Sequence, residues 1–178
     1  LYFLARDGYV LMKIAEQMAH DGIELRFLFV SRRSLSPIYL DHISRQQFVK
    51  LHQGHSLKNV TVSNVLSLIG MPNHELGLDF TIVKTLEQEV RLLDAVFEPT
   101  FYSGWQKELK EGSRLACQYL VQEGLLNEKI ALVDVGWYGS TRMMVNHFRK
   151  QNGRGHCMTY YWGVQRGVLG SEHGEYMS

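Results

Sequence analysis

The residues of this chain that are best suited to chemistry stand where apolar runs end. Residues 1–5 lead directly into R-D-G, residues 25–30 into S-R-R-S, and residues 130–133 into D-V-G-W-Y-G-S-T. Each run has the length and continuity of a strand buried on both faces. In an open parallel sheet, the loops that follow such strands gather at the carboxyl edge, where ligands bind. The pattern therefore predicts where a ligand would lie without identifying it.

The loop at residues 134–141 carries the richest set of groups. Gly136 and Gly139 allow backbone amides to approach a ligand closely. Ser140 and Thr141 offer hydroxyls, and the amino end of the helix expected to follow favours an anion such as phosphate. Asp134 could bind a sugar hydroxyl or a metal such as Mg²⁺, or could polarise a reacting group. The alternative is a tight strand-to-helix turn with Ser140 as the helix cap.

The other two loops could supply countercharge. Arg6 can clamp a phosphate or a carboxylate through two parallel hydrogen bonds, and Asp7 is either a site carboxylate or the cap of the next helix. Arg32 and Arg33 suit an anion site directly after a buried strand, but a solvated turn accounts for them equally well. A parallel fold would bring the three loops together, which favours a shared site.

One predicted site follows from these loops. The candidate catalytic residues are Asp134 and Asp7, and the candidate ligand-binding residues are Arg6, Gly8, Arg32, Arg33, Gly136, Gly139, Ser140 and Thr141. No metal site is predicted, and the chain has no Walker A, G-x-S-x-G or C-x-x-C motif. The expected ligand is an anionic small molecule, a sugar phosphate or a nucleotide.

The elements that position the site form an α/β pattern. Apolar runs at 1–5, 25–30, 130–133 and 158–164 predict a three-layer domain with a mostly parallel sheet, either Rossmann-like or phosphoribosyltransferase-like. Residues 1–35 and 128–178 make up this core. Residues 36–127 lack convincing strand runs and show repeated helical spacing, which predicts a large helical insertion or cap.

Composition narrows the classes of partner. The chain has 178 residues, with 19 basic and 18 acidic side chains and a formal net charge of +1, so bulk charge gives no argument for nucleic acid. No apolar run reaches the roughly 18–20 residues that a membrane span needs. Two cysteines make no disulfide framework and are expected to be reduced, in a cytoplasmic setting. A core strand at the very start suggests a piece of a longer protein.

Three phrases of the sequence carry a family resemblance. LYFLARDGYVLMKIAE, FLFVSRRSL and ALVDVGWYGSTR resemble the carboxyl-terminal region of large bacterial haloacid dehalogenase (HAD)-like hydrolase proteins of surface-polysaccharide loci. In that family an amino-terminal domain performs the hydrolysis with a D-x-D motif. Here Tyr9 follows Asp7 and Gly8, so the second carboxylate is absent. The resemblance therefore implies a partner domain, with a HAD-like catalytic domain preceding it in the same protein.

A more distant resemblance is to type I phosphoribosyltransferases. It would place Asp134, Gly139, Ser140 and Thr141 around a ribose 5-phosphate, with residues 6–8 at the position of the pyrophosphate loop. The departure is Val135, which stands where that family has a second acidic residue. Three functions therefore compete: a sugar-phosphate or nucleotide site, a non-catalytic interaction module, and a phosphoribosyltransferase-like enzyme.

Overall fold

A four-stranded sheet forms the centre of the α/β part of the chain. The computed structural model describes residues 1–5, 7–18, 22–40, 44–53, 56–69, 71, 75–136 and 139–163. Its strands are β1 (Tyr2–Leu4), β2 (Arg26–Leu28), β3 (Ala131–Asp134) and β4 (Met158–Tyr161). All neighbouring strands pair in parallel. The predicted parallel α/β fold is confirmed, because continuous apolar runs suit strands covered on both faces.

The order of the strands determines where the sheet can bind a ligand. The order is β2-β1-β3-β4, so the chain moves outward in one direction from β1 to β2 and in the other from β3 to β4. The loops after β1 and β3 therefore leave the sheet at neighbouring positions and diverge. Such a topological switch point opens a crevice at the carboxyl edge of a parallel sheet.

Two helices connect these strands. α1 (Gly8–Met18) lies between β1 and β2, and α7 (Ser140–Gln151) lies between β3 and β4. Along α7 the buried apolar residues are Met144, Val145 and Phe148, as the helical spacing predicts. Gly139 precedes this helix with φ 61° and ψ 12°, a left-handed conformation that suits glycine.

The chain divides into two compact units. Residues 1–31 with 121–178 form the α/β unit, and residues 32–120 form a helical unit. The sequence placed these boundaries at 35/36 and 127/128. The helices of the second unit are α2 (Arg32–Leu40), α3 (Arg45–Gln53), α4 (Val62–Leu68), α5 (Leu86–Val96) and α6 (Pro99–Gln122). The first boundary is earlier than expected because α2 begins at Arg32 instead of a loop.

The sequence predicted a loop at residues 31–34, and Pro37 lies inside the helix that begins there instead. Pro37 has no N–H to donate to the carbonyl of Arg33, but the hydroxyl of Ser36 lies 3.0 Å from that carbonyl oxygen. The same hydroxyl lies 2.9 Å from the carbonyl oxygen of Leu68. Gly112 leaves room for the proline ring, because a Cβ there would lie 3.2 Å from Pro37 Cγ.

The helical unit is closed around an aromatic core. Trp105 is fully buried, and its Nε1 donates to the carbonyl of Val96 at 3.1 Å. The rings of Phe48 and Tyr102 pack on Phe97 with centroids 5.5 and 5.6 Å away. The start of α5 is stabilised by a capping box between Thr85 and Gln88.

Candidate functional site

Asp134 stands at the carboxyl end of β3 and is held by the turn that follows it. The Gly136 amide donates to Asp134 Oδ1 at 2.9 Å. A Cβ on residue 136 would lie 2.3 Å from Asp134 Oδ2, so only glycine leaves the carboxylate in this position. The D-x-G spacing therefore fixes the orientation of one carboxylate, whereas the sequence predicted that the Gly136 amide would face a ligand.

Asp7, in the loop after β1, lies near enough to Asp134 for its negative charge to act on that carboxyl. Burial raises the pKa of the Asp134 carboxyl, the hydrogen bond from Gly136 opposes this, and the negative charge of Asp7 raises the pKa further. Asp7 itself is exposed. The structure thus brings together the two candidate catalytic residues, one from the loop after β1 and one from the end of β3.

Helix α7 begins at Ser140, six residues after Asp134. Gly139 is the N-cap, and no side chain caps the helix. The alternative in which Ser140 caps the turn is therefore wrong, because Ser140 is already the first helical residue and is buried. Thr141 follows it and is half-buried. The amides of this turn have no side-chain cap and point in the direction that favours an anion.

Gly8 has a packing role. It is buried at the start of α1, and a Cβ there would lie 3.0 Å from the backbone carbonyl carbon of Phe3 and 3.3 Å from Phe3 Cβ. The absent side chain therefore lets the helix approach the strand closely. This contact explains the glycine without a ligand.

We expect Gly8→Ala to destabilise the protein by about 1–3 kcal/mol, because the added methyl must displace backbone. Urea unfolding monitored by circular dichroism measures the change. Gly104→Ala is the matched control: it also adds a methyl to a helix, but nothing lies within 4 Å of that position. The control should be neutral or stabilising by up to about 1 kcal/mol. Equal stability of the two variants would contradict the packing role.

The predicted arginines Arg32 and Arg33 belong to a different compact unit from Asp7 and Asp134. Arg32 and Arg33 occupy the first turn of α2 in the helical unit, so they are not the strand-end loop that the sequence indicated. The reason is that helix α2 begins at Arg32, where the sequence predicted a loop. Arg6 lies outside the residues that the structure describes, as do Trp137 and Tyr138.

Tyr161, which the sequence did not assign to the site, lies beside Asp134, and Arg142 lies beside Tyr161. Tyr161 pairs with Asp134 in the register of β3 and β4, and the Arg142 guanidinium on α7 is close enough to affect its hydroxyl. Burial raises the pKa of Tyr161 to about 12, Arg142 opposes the rise, and Asp134 adds to it. Strand alternation was the available signal, because Tyr161 must share a face with Thr159.

The opposite face of the sheet carries an apolar groove. The sequence favoured a core strand for the aromatic run at 160–162, but Tyr160 is 41% exposed and Trp162 is 78% exposed. The groove is a cavity of about 400 Å³, and α1 covers only part of this face. Its lining residues are Leu1, Phe3, Leu11, Ile14, Ala15, Met18, Ile23, Leu25, Val133, Tyr160, Tyr161 and Trp162.

The residues that the structure describes contain no metal-site signature. No group of three or more His, Cys, Asp or Glu side chains among them is placed to hold a metal ion. Cys117 and Cys157 are both free thiols. None of the helices in the described part of the chain has the length and apolar character needed to span a membrane.

The fold and these two aspartates define a parallel α/β domain with a topological switch point between β1 and β3. Comparison with known proteins adds no family to this class: no family model matches the chain, and neither a curated protein nor a solved structure matches it.

Proposed function

We propose that the α/β unit binds a phosphorylated small molecule, a sugar phosphate or a nucleotide, at the carboxyl edge between β1 and β3. The observation that carries the proposal is the strand order, which makes this edge a switch point and brings Asp7 to Asp134. The uncapped first turn of α7 would receive the phosphate, and Asp134 would accept a hydrogen bond from a ligand hydroxyl.

The wider setting is part of the same proposal. The sequence resemblance to HAD-like hydrolase proteins of surface-polysaccharide biosynthesis favours a sugar phosphate over a nucleotide. The hydrolytic D-x-D motif is absent from this chain. We therefore propose a ligand-binding partner domain, in which Asp134 and Asp7 orient the ligand or assist its reaction.

The test is a thermal-shift panel with glucose 1-phosphate, ribose 5-phosphate, nucleoside diphosphates and the unphosphorylated sugars. A ligand at 100 times its Kd should stabilise the protein by about 2.7 kcal/mol, which raises Tm by roughly 5–10 °C at this size. Gly136→Ala should weaken binding at least about ten-fold, because the new methyl displaces the Asp134 carboxylate.

Gly155→Ala is the matched control, since nothing lies within 4 Å of that position. It should bind as the unmodified protein does. The absence of a shift with every phosphorylated compound would overturn the proposal. So would equal binding by the two alanine variants.

A further inference from the structure

One stripe of α7 faces β4 with three polar side chains. Arg142, Asn146 and Arg149 recur at helical spacing, so they lie on one side of the helix. Asn146 Oδ1 accepts from the Cys157 amide at 3.0 Å, which places this stripe against the start of β4. The stripe runs from the carboxyl edge of the sheet, near Arg142, toward the opposite edge.

The two members far from the carboxyl edge are satisfied. Arg149 is 3% exposed, and its guanidinium donates to the carbonyls of Gly155, Leu125 and Asn127. Asn146 is 6% exposed and also lies 3.2 Å from Cys157 Sγ. An arginine on this face of α7 can therefore be buried when backbone carbonyls outside the helix accept its hydrogen bonds.

The member at the carboxyl edge is different. Among the residues that the structure describes, Arg142 Nε, Tyr161 Oη and Thr159 Oγ1 are buried and lack a hydrogen bond of good geometry. Arg142 is close enough to Tyr161 for a side-chain contact that opposes the rise in the pKa of its hydroxyl. Thr159 and Tyr161 alternate along β4, so they share the face that carries Asp134. Arg142 and Tyr161 thus adjoin where β4 reaches the carboxyl edge of the sheet.

Such a cluster costs stability. Each buried polar atom without a partner loses its hydration and gains no bond in return, whereas apolar side chains of similar shape would avoid the loss. Arg142 and Tyr161 both present hydrogen-bond donors, the guanidinium N–H groups of Arg142 and the hydroxyl of Tyr161. A ligand group that only accepts hydrogen bonds, such as phosphate, would satisfy both.

We propose that Arg142 and Tyr161 bind the anionic oxygens of the ligand directly and supply the positive charge of the site. This inference rests on the proposed function and refines it. The donors at Arg142 and Tyr161 take the phosphate, and the acceptors at Asp134 take hydroxyls, so the ligand class is a phosphorylated polyol. Arg32 and Arg33 are not needed for the charge.

The experiment measures glucose 1-phosphate, ribose 5-phosphate and inorganic phosphate binding by calorimetry on the full chain. Arg142→Met removes the guanidinium but keeps the length of the side chain, and Tyr161→Phe removes only the hydroxyl. We expect Kd for the sugar phosphates to rise at least ten-fold in each. The Tm of each unliganded variant should stay within about 2 °C of the parent or rise, because Arg142 Nε and Tyr161 Oη have no protein hydrogen bond of good geometry to lose.

The outcomes separate the two proposals. Sugar-phosphate binding that Gly136→Ala weakens, but that Arg142→Met and Tyr161→Phe leave unchanged, would overturn the inference and keep the proposed function. Absence of binding by the unmodified chain would overturn both. A marked fall of Tm in unliganded Arg142→Met would also overturn the inference, because it would show that internal contacts use the guanidinium.

Discussion

Replacing Arg149 by Met should destabilise the protein by roughly 3–5 kcal/mol, the largest stability loss that we expect at a single polar residue. The guanidinium is almost fully buried and donates to the carbonyls of Leu125, Asn127 and Gly155. Met fills a similar volume but leaves these acceptors unpaired. The loss thus measures how strongly Arg149 holds the segment that precedes β3 to the segment that follows α7.

Urea unfolding monitored by circular dichroism gives the free energy of unfolding. Arg154→Met is the control, because Arg154 forms an exposed ion pair with Glu128 at 3.6 Å, and such pairs contribute little. The control should change stability by no more than about 0.5 kcal/mol. Similar losses in the two variants would show that the buried hydrogen bonds of Arg149 are weak.

The sheet was predictable because its strands fall on continuous apolar runs, although of the four strands β1 alone is buried along its whole length and β4 alternates between exposed and half-buried residues. Continuous apolar runs identify such strands, and the connecting helices at 8–18 and 140–151 follow from their spacing. The strand order was not predictable from these patterns. It depends on which side of β1 each crossover returns to, and the order then decides that Asp7 and Asp134 meet.

Arg32 and Arg33 lie on a different element from the one predicted, for a local reason. Arg32 and Arg33 follow an apolar strand, as a strand-end loop would, but a helix begins at Arg32. A proline normally interrupts a helix, and the hydroxyl of Ser36, which approaches the carbonyl of Arg33, cannot be inferred from residue type alone. The loop predicted after β2 is therefore the start of a helix, and anion binding by Arg32 and Arg33 stays a prediction.

Tyr161 could not be assigned to the site from the sequence, because its position depends on the register in which β4 pairs with β3. Tyr161 is part of an aromatic run, and only the pairing of β4 with β3 places it opposite Asp134. Its neighbours Tyr160 and Trp162 are exposed, so the run as a whole is neither core nor site. Period-two alternation separates Tyr161 from them, provided that the strand direction is known.

Without a ligand, we expect the charged carboxylate of Asp134 to lower the stability of the folded protein at neutral pH. Asp134 is a carboxylate whose pKa is raised by burial and by Asp7, which means that folding disfavours its charge. The folded state then binds more protons than the unfolded state just above the ordinary pKa of an aspartate. The contribution of Asp134 to stability is therefore present below the unfolded pKa and is lost as pH rises through the folded pKa.

Asp134→Asn removes this charge and keeps an oxygen that can accept from Gly136. At neutral pH we expect the unliganded variant to be at least as stable as the parent, with a difference that grows in its favour as pH rises from about 4. Sugar-phosphate binding should weaken by roughly ten- to 150-fold, the equivalent of about 1.5–3 kcal/mol for one charge-assisted hydrogen bond. Urea unfolding at a series of pH values and calorimetry measure the two effects.

Asp79→Asn is the control for this experiment, because Asp79 is an exposed carboxylate paired with Arg91 in the helical unit. It should leave binding unchanged. Loss of stability in Asp134→Asn at neutral pH would mean that the Gly136 amide stabilises the charged form more than burial opposes it. Gain of stability with unchanged binding would mean that the carboxylate is merely strained. Only the opposite movement of stability and affinity fits a residue whose charge is held in place for a ligand.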